Sequence, residues 1–146
     1  MKGARTRKIG FQVFVSHSSP DTWVARQIAE HIKRCGAACF LDVADVDSGD
    51  DFDAKIRKAI RASREMVVLL TPWATTRPFV WLEVGAFWSS GKRIVAVLHG
   101  LSPKEVSTDE RLPVVLKRID LIQLNEIDNY FSQLRRRVSK WGASHA

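Results

Sequence analysis

A chain of 146 residues has the length of one domain, and with 45% hydrophobic residues it can bury a core without covalent staples. Two cysteines, Cys35 and Cys39, are too few for a disulfide framework, and their CxxxC spacing lacks the second cluster that a zinc site needs; they read as reduced thiols, which fits a cytoplasmic location. The net charge of +7 raises the question of a nucleic-acid partner, but it is divided between Lys2, Arg5, Arg7 and Lys8 at one end and Arg135, Arg136 and Arg137 at the other, with no DNA- or RNA-binding motif, so a solvated basic face is expected.

No segment approaches the ~20 apolar residues of a membrane span. Residues 1–8 are read as a flexible basic leader and 9–146 as a single domain. The apolar run from Ile9 to Val15, broken by Gln12, is too short for a signal-peptide core and is instead a strand, centred on Phe11–Val15. Ser16 to Ser19 form a loop, with Ser19 as N-cap and Pro20 at the first position of a helix that buries Val24, Ile28 and Ile32 and stops at Gly36. Strand two follows at Ala38–Leu41, then an acidic loop, then a helix from Asp51 to Ser63 with Phe52, Ile56 and Ile60 on one face. Strand three, Met66–Leu70, is almost purely apolar and therefore central. Pro78 opens a helix that Gly91 terminates; strand four is Ile94–Leu98. A long connection with a short helix near Lys104 leads to strand five, Ile119–Leu124, and to a last helix from Glu126 to Trp141 whose stripe is Ile127, Tyr130, Phe131, Leu134, Val138 and Trp141. Alternating strands and helices with right-handed crossovers give a flavodoxin-like, doubly wound, five-stranded parallel α/β sheet of order 2-1-3-4-5, with helices on both faces.

In such a sheet a ligand sits beyond the carboxyl ends of the strands, at the switch point between strands one and three. The lining is then Ser16, His17, Ser18 and Ser19 after strand one and Thr71, Pro72 and Trp73 after strand three. No GxGxxG follows strand one, no GKS or GKT occurs, and Thr71 stands where a receiver domain needs its carboxylate. Glu83 is the one charged side chain from Pro78 to Gly91. It is expected between Phe79 and Phe87, with Leu82 and Ala86 on its side, early in a helix that starts at the ligand end of the sheet. A carboxylate on an apolar stripe needs a reason. It either pairs with Arg77 or a backbone group, or it does chemistry. His17 stands as a base, a substrate contact or a hydrogen-bonded loop residue; His31 and His99 offer nothing firmer.

At these residues the chain resembles a TIR (Toll/interleukin-1 receptor) domain of the standalone bacterial sort, over roughly residues 9–140. Phe11-Gln12-Val13-Phe14-Val15-Ser16-His17 is similar to the family's first motif, Phe40-Leu41-Asp42 with the Gly49-containing loop to its BB-loop region, and Val68-Leu69-Leu70-Thr71-Pro72 followed by Trp81-Leu82-Glu83 to the third strand and the helix that carries the catalytic glutamate of NAD-cleaving members. The resemblance implies that Glu83 is catalytic, that NAD is a substrate rather than a cofactor, that no metal takes part, and that the loops 16–19 and 42–51 flank the substrate. Where many such members carry a Trp four residues before the glutamate, this chain has Phe79, with Trp81 two before, so either ring is a candidate for stacking. It further implies hydrolysis or cyclisation of NAD in bacterial immune or stress signalling, antiviral defence included, and action in assemblies.

Asp42, Asp45, Asp47, Asp50, Asp51 and Asp53 crowd twelve residues of a basic chain. No start position gives an EF-hand. Asp50, Asp51 and Asp53 suit a helix N-terminus, while Asp42, Asp45 and Asp47 are candidates for ribose contact or for a basic partner protein. Trp81 and Trp88 share the helix face opposite Glu83, so that helix is either buried all round or lies at an interface, here proposed as self-association. The competing functions are a non-catalytic TIR scaffold and a nucleoside deoxyribosyltransferase-like enzyme.

Overall fold

The computed structural model describes residues 10–43 and 54–145. Five parallel strands lie in the order β2-β1-β3-β4-β5: β1 Gln12–His17, β2 Ala38–Val43, β3 Glu65–Leu70, β4 Arg93–Leu98 and β5 Asp120–Gln123. The helices are α1 Thr22–Arg34, α2 Ala54–Ala62, α3 Pro78–Ser89, α4 Pro103–Thr108 and α5 Ile127–Ser144. This is the flavodoxin-like architecture expected. The leader, Asp45, Asp47, Phe52 and the start of the second helix at Asp51 lie outside the described residues.

Strand alternation divides the core in two. Val13, Val15, Val67, Leu69, Val95 and Val97 face α1 and α5, and Phe14, Met66, Val68, Leu70, Ile94, Ala96 and Leu98 face α2 and α3. The central β3 is buried throughout, which its unbroken apolar run requires. Helix ends follow local chemistry. Gly36 and Gly91 take φ of +93° and +73°, where a side chain is strained. Lys92 Nζ donates to the Ile60 and Arg61 carbonyls at 2.9 and 3.0 Å, satisfying the end of α2. Ser102 and Glu105 close a reciprocal capping box on α4.

Several boundaries move. β1 runs on through Ser16 and His17, which are therefore strand residues and not loop. A 3-10 turn at Ser19–Asp21 precedes α1, so Pro20 begins that turn instead of the helix. β2 extends to Val43 and carries Asp42 into the sheet. In α1 the central buried position belongs to Ala25, with Val24 half-buried. On α3 the buried set is Val80, Glu83, Val84 and Phe87 at spacings of three, one and three; Leu82, expected beside Glu83, is 49% exposed because one residue turns the helix by 100°.

Glu65 opens β3, one residue before the Met66 start expected from the sequence. Its buried carboxylate accepts from Tyr130 Oη at 2.7 Å and from Arg137 Nε and Nη2 at 2.8 and 2.9 Å, tying α5 to the amino end of the sheet. Burial and the Glu65 charge push the Tyr130 phenol well above its ordinary pKa, so it stays a donor.

Candidate active site

Register places the site. Phe14 pairs with Phe40 across β1 and β2, their rings stacked at 5.2 Å, and Phe87 packs on Phe14 at 5.5 Å. Two residues further toward the carboxyl edge Ser16 pairs with Asp42, a step of about 6.6 Å. One helical turn back from Phe87 is Glu83, a step of about 6 Å in the same direction. The matched rises set the Glu83 carboxyl over the Ser16–Asp42 pair.

Glu83 is 0% exposed. Ser16 Oγ donates to its Oε1 at 2.5 Å, while Oε2 makes no hydrogen bond. Desolvation, followed by contact with and charge from Asp42, raises the Glu83 pKa from 4.5 to about 10, against a lowering by the Ser16 hydroxyl. The acid is therefore protonated at neutral pH. The Ser16 hydroxyl donates to Glu83, and a second carboxyl, that of Asp42, stands beside it.

The remaining candidates separate into three groups. Ser18 Oγ and Thr71 Oγ1 both donate to Asp21 Oδ2 at 2.6 Å, and Ala74 N–H donates to Thr71 Oγ1 at 3.1 Å. These buried hydroxyls hold the loops after β1 and β3 together at the switch point. Asp21 was missed by the sequence reading; its spacing three residues after Ser18 is the signal that could have found it. Asp21→Ala leaves two buried hydroxyls without their acceptor and should cost about 2 kcal/mol, measurable as a lower urea midpoint, with Asp21→Asn recovering part of the loss.

His17 is buried, with Nε2 3.2 Å from Thr22 Oγ1. Phe79 and Trp81 are half-buried against the core, and the Trp81 indole donates to the Thr75 carbonyl at 3.0 Å. Ser19 and Trp73 stay exposed beyond β1 and β3, which leaves the Trp73 ring available for stacking. Asp45 and Asp47 fall outside the described residues. Trp81 and Trp88 do not behave alike: Trp88 is 42% exposed, and with Leu82 it leaves an apolar outer face on α3. Among the described residues no group of three or more His, Cys, Asp or Glu could hold a metal ion, and no helix is long and apolar enough to cross a membrane.

Fold and site together define a flavodoxin-like domain with an acidic pair at the carboxyl edge of its first two strands. The family profile described as TIR domain matches residues 13–137, and the chain belongs to that family. A probable 2′ cyclic ADP-D-ribose synthase of Brachypodium distachyon, BdTIR, is 26% identical over 98 residues; the aligned region is 66% of this chain but only 44% of that relative's length. Among solved structures, the TIR domain of the Toll-related receptor TRR-2 of Hydra magnipapillata superposes with a TM-score of 0.62 at 19% identity, over 84% of this chain and 97% of that one. A diflavin flavoprotein A3 from Nostoc superposes with a TM-score of 0.57 at 12% identity, over 95% and 100%. At such identities the structural likenesses concern the fold.

Proposed function

We propose that this chain cleaves the nicotinamide–ribose bond of NAD, with Glu83 as its catalytic carboxylate. One observation carries the reading: a wholly buried acid, on an otherwise apolar helix face at the ligand end of the sheet, held by the Ser16 hydroxyl with the Asp42 carboxyl beside it. The name of the Brachypodium relative points to the same substrate. NAD enters as substrate and no cofactor is invoked.

The chemistry suits a single carboxylate. The bonding pair of the glycosidic C–N bond goes to the pyridinium nitrogen, so nicotinamide departs neutral and needs no general acid. Positive charge develops on the ribose, as in glycoside hydrolysis, and an ionised Glu83 in a dry pocket stabilises it. Water completes hydrolysis, and an adenine nitrogen or a ribose hydroxyl completes cyclisation. Glu83 is neutral in the free protein, and an arriving pyridinium cation favours its ionised form. The ionised form is then scarce in the free enzyme, so kcat/KM should rise with pH, about tenfold per unit, between pH 6 and 9. A profile that falls over that range would assign activity to the neutral acid and defeat this mechanism.

Incubation with NAD, and separately with deoxynucleosides, followed by chromatography of the released base, tests the assignment. Nicotinamide release supports it, and base released from deoxynucleosides alone would make the chain a transferase-like enzyme. A second reading, a non-catalytic TIR scaffold, is favoured by the complete burial of Glu83, since substrate reaches that carboxyl only when its covering opens; absence of any base release selects it. On family grounds we place the cleavage in cytoplasmic immune or stress signalling, with self-association through the outer face of α3 at Leu82 and Trp88 and a partner protein as trigger.

A further inference from the structure

A concavity opens at the carboxyl edge of the sheet on the face away from Glu83, between α1 and α5. Its volume is about 480 Å³, and Trp23, Val24, Ile28, Leu124, Ile127 and Phe131 form most of its wall, with His31, His99, Gln27 and Asp128 as the polar remainder. That volume falls in the range of small-molecule sites, roughly 300–1,000 Å³, which are mostly apolar with a few polar groups. The His31 imidazole lies flat on the Phe131 ring, with centroids 5.1 Å apart and planes 13° from parallel, so one wall is already a stacked aromatic surface. Trp23, in the first turn of α1, is 66% exposed at the rim, an arrangement that leaves most of a large ring in water until something covers it. Although the chain carries a net charge of +7, among the described residues the only Asp, Glu, Lys or Arg lining this cavity is the acid Asp128.

The geometry points to a binding site, separate from Glu83, for a small planar aromatic cation that carries no phosphate. Planarity follows from the aromatic walls, size from the volume, and charge from Asp128 with the Trp23 face, which attracts a cation through its ring quadrupole. An anion is disfavoured by the same carboxylate at the cavity wall.

Three pyridines of nearly equal shape test this on the whole chain by calorimetric titration: 1-methylnicotinamide (cation), nicotinamide (neutral) and nicotinate (anion). The cation is expected to bind at least tenfold more tightly than the anion. Trp23→Ala should weaken it about tenfold or more, and Asp128→Asn should erase the preference for the cation. Both side chains are exposed, so neither change disturbs the core. Glu83→Gln should leave the affinity unchanged, which keeps this result independent of whether NAD is cleaved. The inference is overturned if Trp23→Ala and Asp128→Asn bind the cation as the unaltered chain does, if Glu83→Gln abolishes binding, or if sedimentation of the ligand-free chain gives a dimer that Trp23→Ala dissociates, for then a second copy covers the ring.

Discussion

Glu83→Gln is expected to reduce nicotinamide release from NAD by about 10²–10³-fold, the usual loss when one electrostatic stabiliser of a developing charge is removed. The fold should survive. Gln has the shape of the protonated acid, and its carbonyl oxygen can still accept from Ser16 as Oε1 does at 2.5 Å. The linkage sign gives a second readout. The folded pKa, about 10, lies above the ordinary value of 4.5, so between those limits the folded chain holds a proton that the unfolded chain has released. This group's contribution to stability is complete below pH 4.5 and is lost as pH rises toward 10, with a limiting slope of about 1.4 kcal/mol per pH unit for one full proton. The variant lacks this slope, so it should be the more stable protein at pH 8 and nearly equal at pH 4. Chemical denaturation at the two pH values checks the sign. Equal slopes in both proteins would mean that Glu83 is ionised in the resting state, and undiminished NAD turnover would remove it from catalysis.

The largest expected loss of stability lies at the other end of the sheet. Arg137→Ala removes two charge-assisted hydrogen bonds from Glu65 and leaves its carboxylate buried with Tyr130 as the one remaining partner in that network. Breaking a buried pair from one side costs about 3–5 kcal/mol; the lower end applies because the Arg137 side chain is 24% exposed and water can take its place. That is a large part of the about 5–15 kcal/mol that holds a domain together. The denaturation midpoint should fall accordingly. Glu65→Gln added to Arg137→Ala should restore part of it, because the group left buried is then neutral. If the double variant is no more stable than the single one, charge burial is not the cause and the lost packing of the Arg137 stem is.

Much of the architecture was legible along the chain because the strands and helices obey their periods. The unbroken apolar run of β3 pointed to a central strand covered on both faces, the stripe of α5 to one packing surface, and the alternation of strands and helices with right-handed crossovers to the strand order. Two features are not legible along the chain. One is a charge inside a strand: Glu65 begins β3, and its partner Arg137 on α5, 72 residues away, makes the buried carboxylate tolerable, a partner that is invisible locally. The other is the bonding of the strand-end hydroxyls: Ser18 and Thr71 both donate to Asp21, a side chain that only the folded loop brings to both.

Glu83 itself stood out in the sequence because it is a single charge among apolar neighbours at helical spacing, and periodicity is a local property that needs no fold to be read. Its environment was another matter. That Ser16 would grip one oxygen, that Asp42 would stand beside it and raise its pKa, and that Leu82 would face away depended on strand register and on the rotation of α3 about its axis. Those are relations between segments tens of residues apart, set by how Phe14, Phe40 and Phe87 pack, and close packing is decided only when all three meet.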